Sequence, residues 1–153
     1  MHQLEGLQYT TELYIDMGYY KIRISLATQD MTTIFTEFGK FRYNRLPMGM
    51  CAYGDIFQAK VDEILGDIEG IKTYIYDILV LIKDIFEKHI GQLIIIFGRL
   101  RAAGLGVNAP KCSFGSKDIP YLGYVITREG IKPDPNKVQG IMYIGRPATI
   151  TEA

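Results

Sequence analysis

The 153-residue sequence predicts an α+β domain in which two amphipathic helices cover one face of an antiparallel sheet. Three observations carry that prediction. The first third alternates β-branched and aromatic residues in short runs. Two later segments repeat apolar residues at helical spacing, and between them stand two apolar runs too short to be helices, hinged on a polar residue. Such a sheet leaves its second face free. The length fits one domain of about 100–200 residues. With 48% hydrophobic and 22% charged residues the composition is that of a globular chain, which excludes disorder and fibrous repeats.

Residues 12–16 and 21–26 are predicted strands, and 31–38 with 40–45 a hairpin pivoting on Gly39. From Asp55 the period changes. Ile56, Phe57, Ala59, Val61, Ile64 and Leu65 recur at helical spacing, with Asp55 in the first turn where its charge complements the dipole, and the helix ends near Gly66. Residues 71–76 and 78–82 read as a tight hairpin with Asp77 at its tip. Asp84 and Glu87 predict a capping box for a helix whose stripe is Phe86, Ile90, Leu93, Ile94, Phe97 and Leu100 and which stops at Gly104. Short strands follow at 112–114 and 121–126. Asp134 as N-cap and Pro135 as first helical residue open a last helix through Ile141.

That second helix carries two anomalies. Gly91 and Gly98 in its interior each cost about 1 kcal/mol relative to Ala, and Ile94-Ile95-Ile96 takes apolar residues round more than one face. Exposed apolar surface of this kind predicts self-association.

Seventeen basic and seventeen acidic residues leave no net charge, so nucleic-acid or lipid attraction must be local. Lys40 and Arg42 share a strand face and either touch a nucleic-acid phosphate or belong to a solvated hairpin. Residues 106–146 hold six basic and three acidic residues, a modest basic bias. Asp62, Glu63, Asp67 and Glu69 read as a solvated face rather than a metal cluster. His2 and His89 have no partner spacing and are expected at the surface. Cys51 and Cys112 form neither a disulfide framework nor a CxxC site, which makes a reducing compartment the default, and no apolar run reaches the ~18 residues of a membrane span. The expectation is a cytoplasmic or nuclear chain with no membrane partner.

Five blocks are more specific: Met17-Gly18-Tyr19-Tyr20-Lys21-Ile22, Arg45-Leu46-Pro47-Met48-Gly49-Met50, Ile56-Phe57-Gln58, Tyr74-Ile75-Tyr76-Asp77-Ile78-Leu79 and Tyr121-Leu122-Gly123-Tyr124-Val125-Ile126. Between and after them stand Ala103-Gly104-Leu105, Lys111-Cys112-Ser113-Phe114-Gly115 and Glu129-Gly130-Ile131-Lys132-Pro133-Asp134-Pro135. In this order, over nearly the whole chain, they resemble the reverse transcriptase of gypsy-type LTR retrotransposons. The resemblance implies a single palm domain over 1–153, with partial fingers at 21–45 and the start of a thumb or connection from about 134. The family's basic, aromatic fingers segment upstream of Leu4-Glu5-Gly6 and its thumb and RNase H regions downstream of Thr151 are not in this sequence.

In that family three aspartates hold two Mg²⁺ ions, one on an early strand and two in a Tyr-x-Asp-Asp hairpin. Paired hard cations need anionic oxygens. Carried over residue by residue, the early aspartate falls on Tyr14 and the first hairpin aspartate on Tyr76, leaving Asp77 as the family has it. A phenol ionises near pH ~10 against ~3.9 for Asp, so each replacement removes a charge and offers a neutral, bulkier donor. Asp16, two residues from Tyr14, shares its strand face as a replacement ligand, but lies ~7 Å along the strand.

The resemblance further implies that Tyr19 is the aromatic gate against a ribose 2′-hydroxyl, that Met48 and Gly49 line the nucleotide pocket, and that Tyr121, Leu122, Gly123 and Tyr124 form the primer grip. Core packing is the alternative for each. Tyr53-Gly54-Asp55 departs from the small-proline-small pattern usual beside that pocket. The expected function is an RNA-directed DNA polymerase fragment, inactive as it stands, holding Mg²⁺ weakly if at all. Its expected partner is an RNA or DNA template-primer. The alternatives are a non-catalytic nucleic-acid or protein-binding module and a self-associating truncated domain.

Overall fold

Strand β1 (Tyr9–Asp16) lies at the centre of the computed structural model, which describes residues 6–143. Its inward side chains alternate with half-buried ones, as a strand with two unlike faces requires. A short 3₁₀ turn over Gly18–Lys21 leads to α1 (Leu26–Met31), β2 (Ile34–Thr36) and β3 (Gly39–Phe41). Next come α2 (Tyr53–Leu65), the hairpin β4 (Ile71–Tyr74) and β5 (Asp77–Ile82), and α3 (Phe86–Ala102). Strands β6 (Gly106–Val107), β7 (Ser113–Ser116), β8 (Ile119–Tyr121), β9 (Tyr124–Thr127) and β10 (Gly130–Pro133) precede α4 (Pro135–Met142). The main sheet runs β4-β5-β1-β6, with β7 also pairing β1, and every pairing is antiparallel. This is the α+β class expected.

Leu13 and Ile15 of β1 and Ile78, Val80 and Ile82 of β5 point to one side. There they meet Phe57, Val61 and Leu65 of α2 and Leu93, Ile96 and Leu100 of α3. The buried positions are four apart on α2 and three or four apart on α3, so each helix presents one stripe to the sheet. The second face is not wholly free. A three-stranded sheet, β10-β9-β8, packs Ile119 and Ile126 against Leu79, with Leu81 and Leu7 alongside.

Several local expectations are corrected. Residues 21–26 are not a strand: Ser25 accepts a hydrogen bond from the Thr28 N–H at 3.2 Å and starts α1, leaving a single bridge from Arg23 to Arg45. The hairpin expected over 31–45 is only three residues a side, turning just before Gly39 at φ 126°. The capping box does not form; Ile85 is the N-cap of α3, while Asp84 accepts from the Ile85 N–H and pairs with Lys88. Residues 121–126 are not one strand but a hairpin, turning where Leu122 (φ 49°) and Gly123 (φ 85°) both take left-handed backbone. At the end of α3, Leu105 N–H reaches Leu100 O and Gly104 N–H reaches Arg101 O, so Gly104 stops the helix as expected. The acidic group lies on an exposed face: Glu63 pairs with Lys60 and Asp67 with Arg99. Lys40 lies over the Phe35 ring at 5.0 Å and Arg42 pairs with Asp30. His2 falls outside the described residues. Among those described, no helix is long and apolar enough to cross a membrane.

His89 is 1% exposed, not on the surface. Its Nε2 and the Thr11 hydroxyl are 2.8 Å apart, that hydroxyl also accepts the Gly115 N–H, and Nδ1 has no hydrogen-bond partner among the described residues. Sequence spacing could not show this, because Thr11 and Gly115 come from distant strands. Burial pushes the imidazole pKa below its ordinary value, so below pH ~6.5 the unfolded chain binds a proton that the folded chain refuses. Stability present above about pH 6.5 is therefore expected to fall as pH drops toward the lowered folded value. Urea midpoints measured across that range check this, and His89→Gln should flatten that part of the profile.

Candidate active site

The β1–β5 register places Tyr14 directly across from Asp77. Asp77 is not the tip of its hairpin. The turn consists of Ile75, at φ 52°, and Tyr76, and Asp77 is the first residue of β5. The Ile15 N–H donates to Tyr76 O at 2.8 Å and ties the turn to β1. Gln58, from α2, holds the other side. Its Oε1 accepts the Ile75 N–H at 2.6 Å, and its Nε2 donates to Asp62 and to the Thr73 hydroxyl. Gln58→Leu leaves the Ile75 amide without its acceptor. It is expected to destabilise the fold by about 1–3 kcal/mol and to speed exchange of that amide, read by hydrogen exchange.

The two tyrosines at the implied ligand positions meet. The Tyr14 and Tyr76 rings stack with centroids 5.6 Å apart and an interplanar angle of 22°. Tyr76 also turns its ring to the edge of Tyr19 (4.9 Å, 84°) and contacts Phe57 at 5.3 Å, and Tyr19 packs on Phe57 at 4.9 Å. Gly18 makes room for this cluster: a Cβ there would run into the Phe57 ring. Burial, then the neighbouring Tyr19 hydroxyl, pushes the Tyr76 phenol far above its usual pKa, so it is neutral at any working pH.

The surrounding charges complete the picture. The Lys111 ammonium lies 4.3 Å from the centre of the Tyr14 ring. Burial raises the Asp77 carboxyl pKa, with Lys111 partly opposing. Glu12, two residues before Tyr14 on the same strand face, is raised by burial and then by Asp77. Tyr121, at the start of the β8–β9 turn, is pushed up to about 12 by burial, then Asp77 and Glu12. Asp16 pairs with Gly106 on β6, and its carboxylate accepts from the Asn108 amide at 3.4 Å. Asp16 thus sits one strand pair beyond the Tyr14–Asp77 crossing. Met48 is largely exposed and Gly49 takes φ 95°, neither being part of the buried core. The loop that departs at Tyr53-Gly54-Asp55 is the start of α2, where a Cβ at Gly54 would lie 3.9 Å from the Tyr19 hydroxyl. Leu122 and Tyr124 are exposed beside the Tyr121 end of their hairpin.

Sequence reasoning missed Glu12, Lys111 and Gln58 as site residues. Glu12 was open to discovery from its two-residue spacing to Tyr14. Lys111 and Gln58 reach the site only through tertiary packing.

These residues do not fit a pair of divalent cations. Two neutral rings stack where carboxylates would converge, a cation covers one of them, and among the described residues no three His, Cys, Asp or Glu side chains group to hold a metal.

An antiparallel sheet backed by two helices, with a hairpin carboxylate facing the central strand, defines a polymerase-palm fold. Residues 1–126 match the family model described as reverse transcriptase (RNA-dependent DNA polymerase), and the chain belongs to that family. It is 33% identical over 151 residues to the retrovirus-related Pol polyprotein from transposon opus of Drosophila melanogaster, covering 97% of this chain and 15% of that polyprotein. The corresponding polyprotein from transposon gypsy of the same organism is 27% identical over 141 residues, covering 92% of this chain and 14% of the relative. The chain thus spans about one seventh of these curated relatives. The foamy viral protease-reverse transcriptase in complex with dsDNA superposes with a TM-score of 0.87 at 26% identity, covering 95% of this chain and 30% of that one. Its complex with an RNA/DNA hybrid gives a TM-score of 0.86 at 26% identity, covering 99% and 21%. Enzymes of the family generally use Mg²⁺.

Proposed function

We propose that this chain is the palm and part of the fingers of a retrotransposon RNA-directed DNA polymerase, and that as it stands it does not add nucleotides. The observation that carries the second half is the stacked Tyr14–Tyr76 pair beside Asp77, with Lys111 over Tyr14. Phosphoryl transfer is catalysed chiefly by positioning and by stabilising charge on the transferring group. Here that stabilisation would have to come without the carboxylate set that binds the ions. The fingers portion is 21–45, and the segment from about 134 begins the thumb or connection. Tyr19, packed against Phe57 and Tyr76, would form the wall of the nucleotide pocket near Met48 and Gly49, and the Tyr121–Tyr124 turn the primer grip.

Primer extension on an RNA or DNA template with Mg²⁺ or Mn²⁺ tests the inactivity. No template-dependent product is expected, and synthesis by this chain would overturn the reading.

A second reading is favoured by one contrast: the fold superposes closely on reverse transcriptases seen with dsDNA and with an RNA/DNA hybrid, while stacked phenols stand at the positions where the resemblance implies ion-binding carboxylates. On that reading the chain holds a nucleic-acid duplex without catalysis. A duplex titration at rising salt is the test, with affinity expected at low salt and lost as salt increases. No binding at low salt would remove it.

A further inference from the structure

The outward face of α3 is apolar and self-complementary, and none of the described residues covers it. Ile94 is 66% exposed, Ile95 50%, Ile90 40% and Phe97 37%. A Cβ at Gly91 or Gly98 would meet nothing within 4 Å, so neither glycine is needed for packing inside the chain. Each still weakens the helix by about 1 kcal/mol relative to Ala. Glu87 and Arg101, at opposite ends of the same stripe, enter no ion pair among the described residues.

We propose that two copies of this chain dimerise through α3, with the helices antiparallel about a two-fold axis at Ile94. That axis sets Ile94 against its own counterpart. It brings Gly91 level with Gly98 of the second copy, so the backbones can approach closely on that side, and Ile90 level with Phe97 on the other. Glu87 of each copy then meets Arg101 of the other, which gives two cross-chain ion pairs from one pattern. A parallel pair would oppose Glu87 to Glu87 and Arg101 to Arg101. Beside this stripe lies a groove of about 750 Å³, lined in part by Phe97, Leu100, Leu105 and Val107 with Lys21 and Arg101. The antiparallel arrangement lays Phe86 of the second copy, 47% exposed, toward this groove. The contact therefore extends beyond the two helices. It is an isologous contact, and it closes at two.

Sedimentation equilibrium of the full chain over a range of concentrations tests the proposal. A monomer–dimer equilibrium is expected, and Ile94→Glu should abolish the dimer while circular dichroism shows the helices intact. Glu87→Arg or Arg101→Glu alone should weaken dimerisation about tenfold or more. An equimolar mixture of those two variants should recover it as a heterodimer, since every charge contact is then of opposite sign. A monomer at all concentrations, a dimer indifferent to Ile94→Glu, polydisperse aggregation or a mixture without rescue would each overturn the proposal.

Discussion

Replacing Tyr14 and Tyr76 together by aspartate is expected to raise Mn²⁺ and Mg²⁺ affinity about tenfold or more, because it places two further carboxylates beside Asp77. Tyr14→Asp alone should do much less. The Lys111 ammonium now over the Tyr14 ring is placed to pair with an aspartate at that position and cancel its charge. Tyr76→Asp alone exchanges a half-buried ring, packed on Tyr19 and Phe57, for a carboxylate in a desolvated setting, and should cost about 1–3 kcal/mol of stability. Isothermal titration with Mn²⁺ reads the affinity, and urea unfolding reads the cost. Primer extension by the double variant is expected to stay without processive product. A folded double variant that binds Mn²⁺ no better than the parent would sink the electrostatic account of this site.

The second large effect lies at Phe57. Its ring is fully buried, touches Tyr19 and Tyr76, and joins α2 to both strands that carry the site. Phe57→Ala removes this contact area and leaves a cavity that the sheet cannot close, so about 3–5 kcal/mol of stability should be lost. Against a total of roughly 5–15 kcal/mol for a domain this size, that is a large share. Ile56→Ala, one residue earlier on the same helix but 45% exposed, should change stability by about 0.5 kcal/mol or less. Guanidinium unfolding of the two variants side by side checks the contrast, and equal losses would mean that the face of α2 is wrongly assigned.

Periodicity was informative where a segment was long. Periodicity located both α2 and α3, and Gly104 marked the α3 end, but it gave the buried face of α3 only in part: of the predicted stripe Leu93 and Leu100 are buried, whereas Phe86, Ile90, Ile94 and Phe97 are exposed and His89 and Ile96 turn to the core instead, because apolar residues run round more than one side of this helix. It failed at residues 21–26, where Ser25 capping a six-residue helix outweighed β-branched composition, and at Asp84, whose carboxylate met Lys88 and the next amide instead of capping the helix. His89 and Thr11 are 78 positions apart, and their hydrogen bond has no local signature. The hairpin at 75–78 was legible, but its tip was misplaced by a residue because Ile75, a β-branched residue, takes the left-handed turn position.

The amino-acid order alone determined the family and that positions 14 and 76 carry phenols, which bring no charge at neutral pH. The antiparallel pairing decided the rest. It set Tyr14 opposite Asp77, stacked the two phenols, brought Lys111 from a distant turn over one ring, and placed Glu12 within electrostatic reach of Asp77. Contacts between remote segments depend on register and burial, and neither is written in any single stretch of chain.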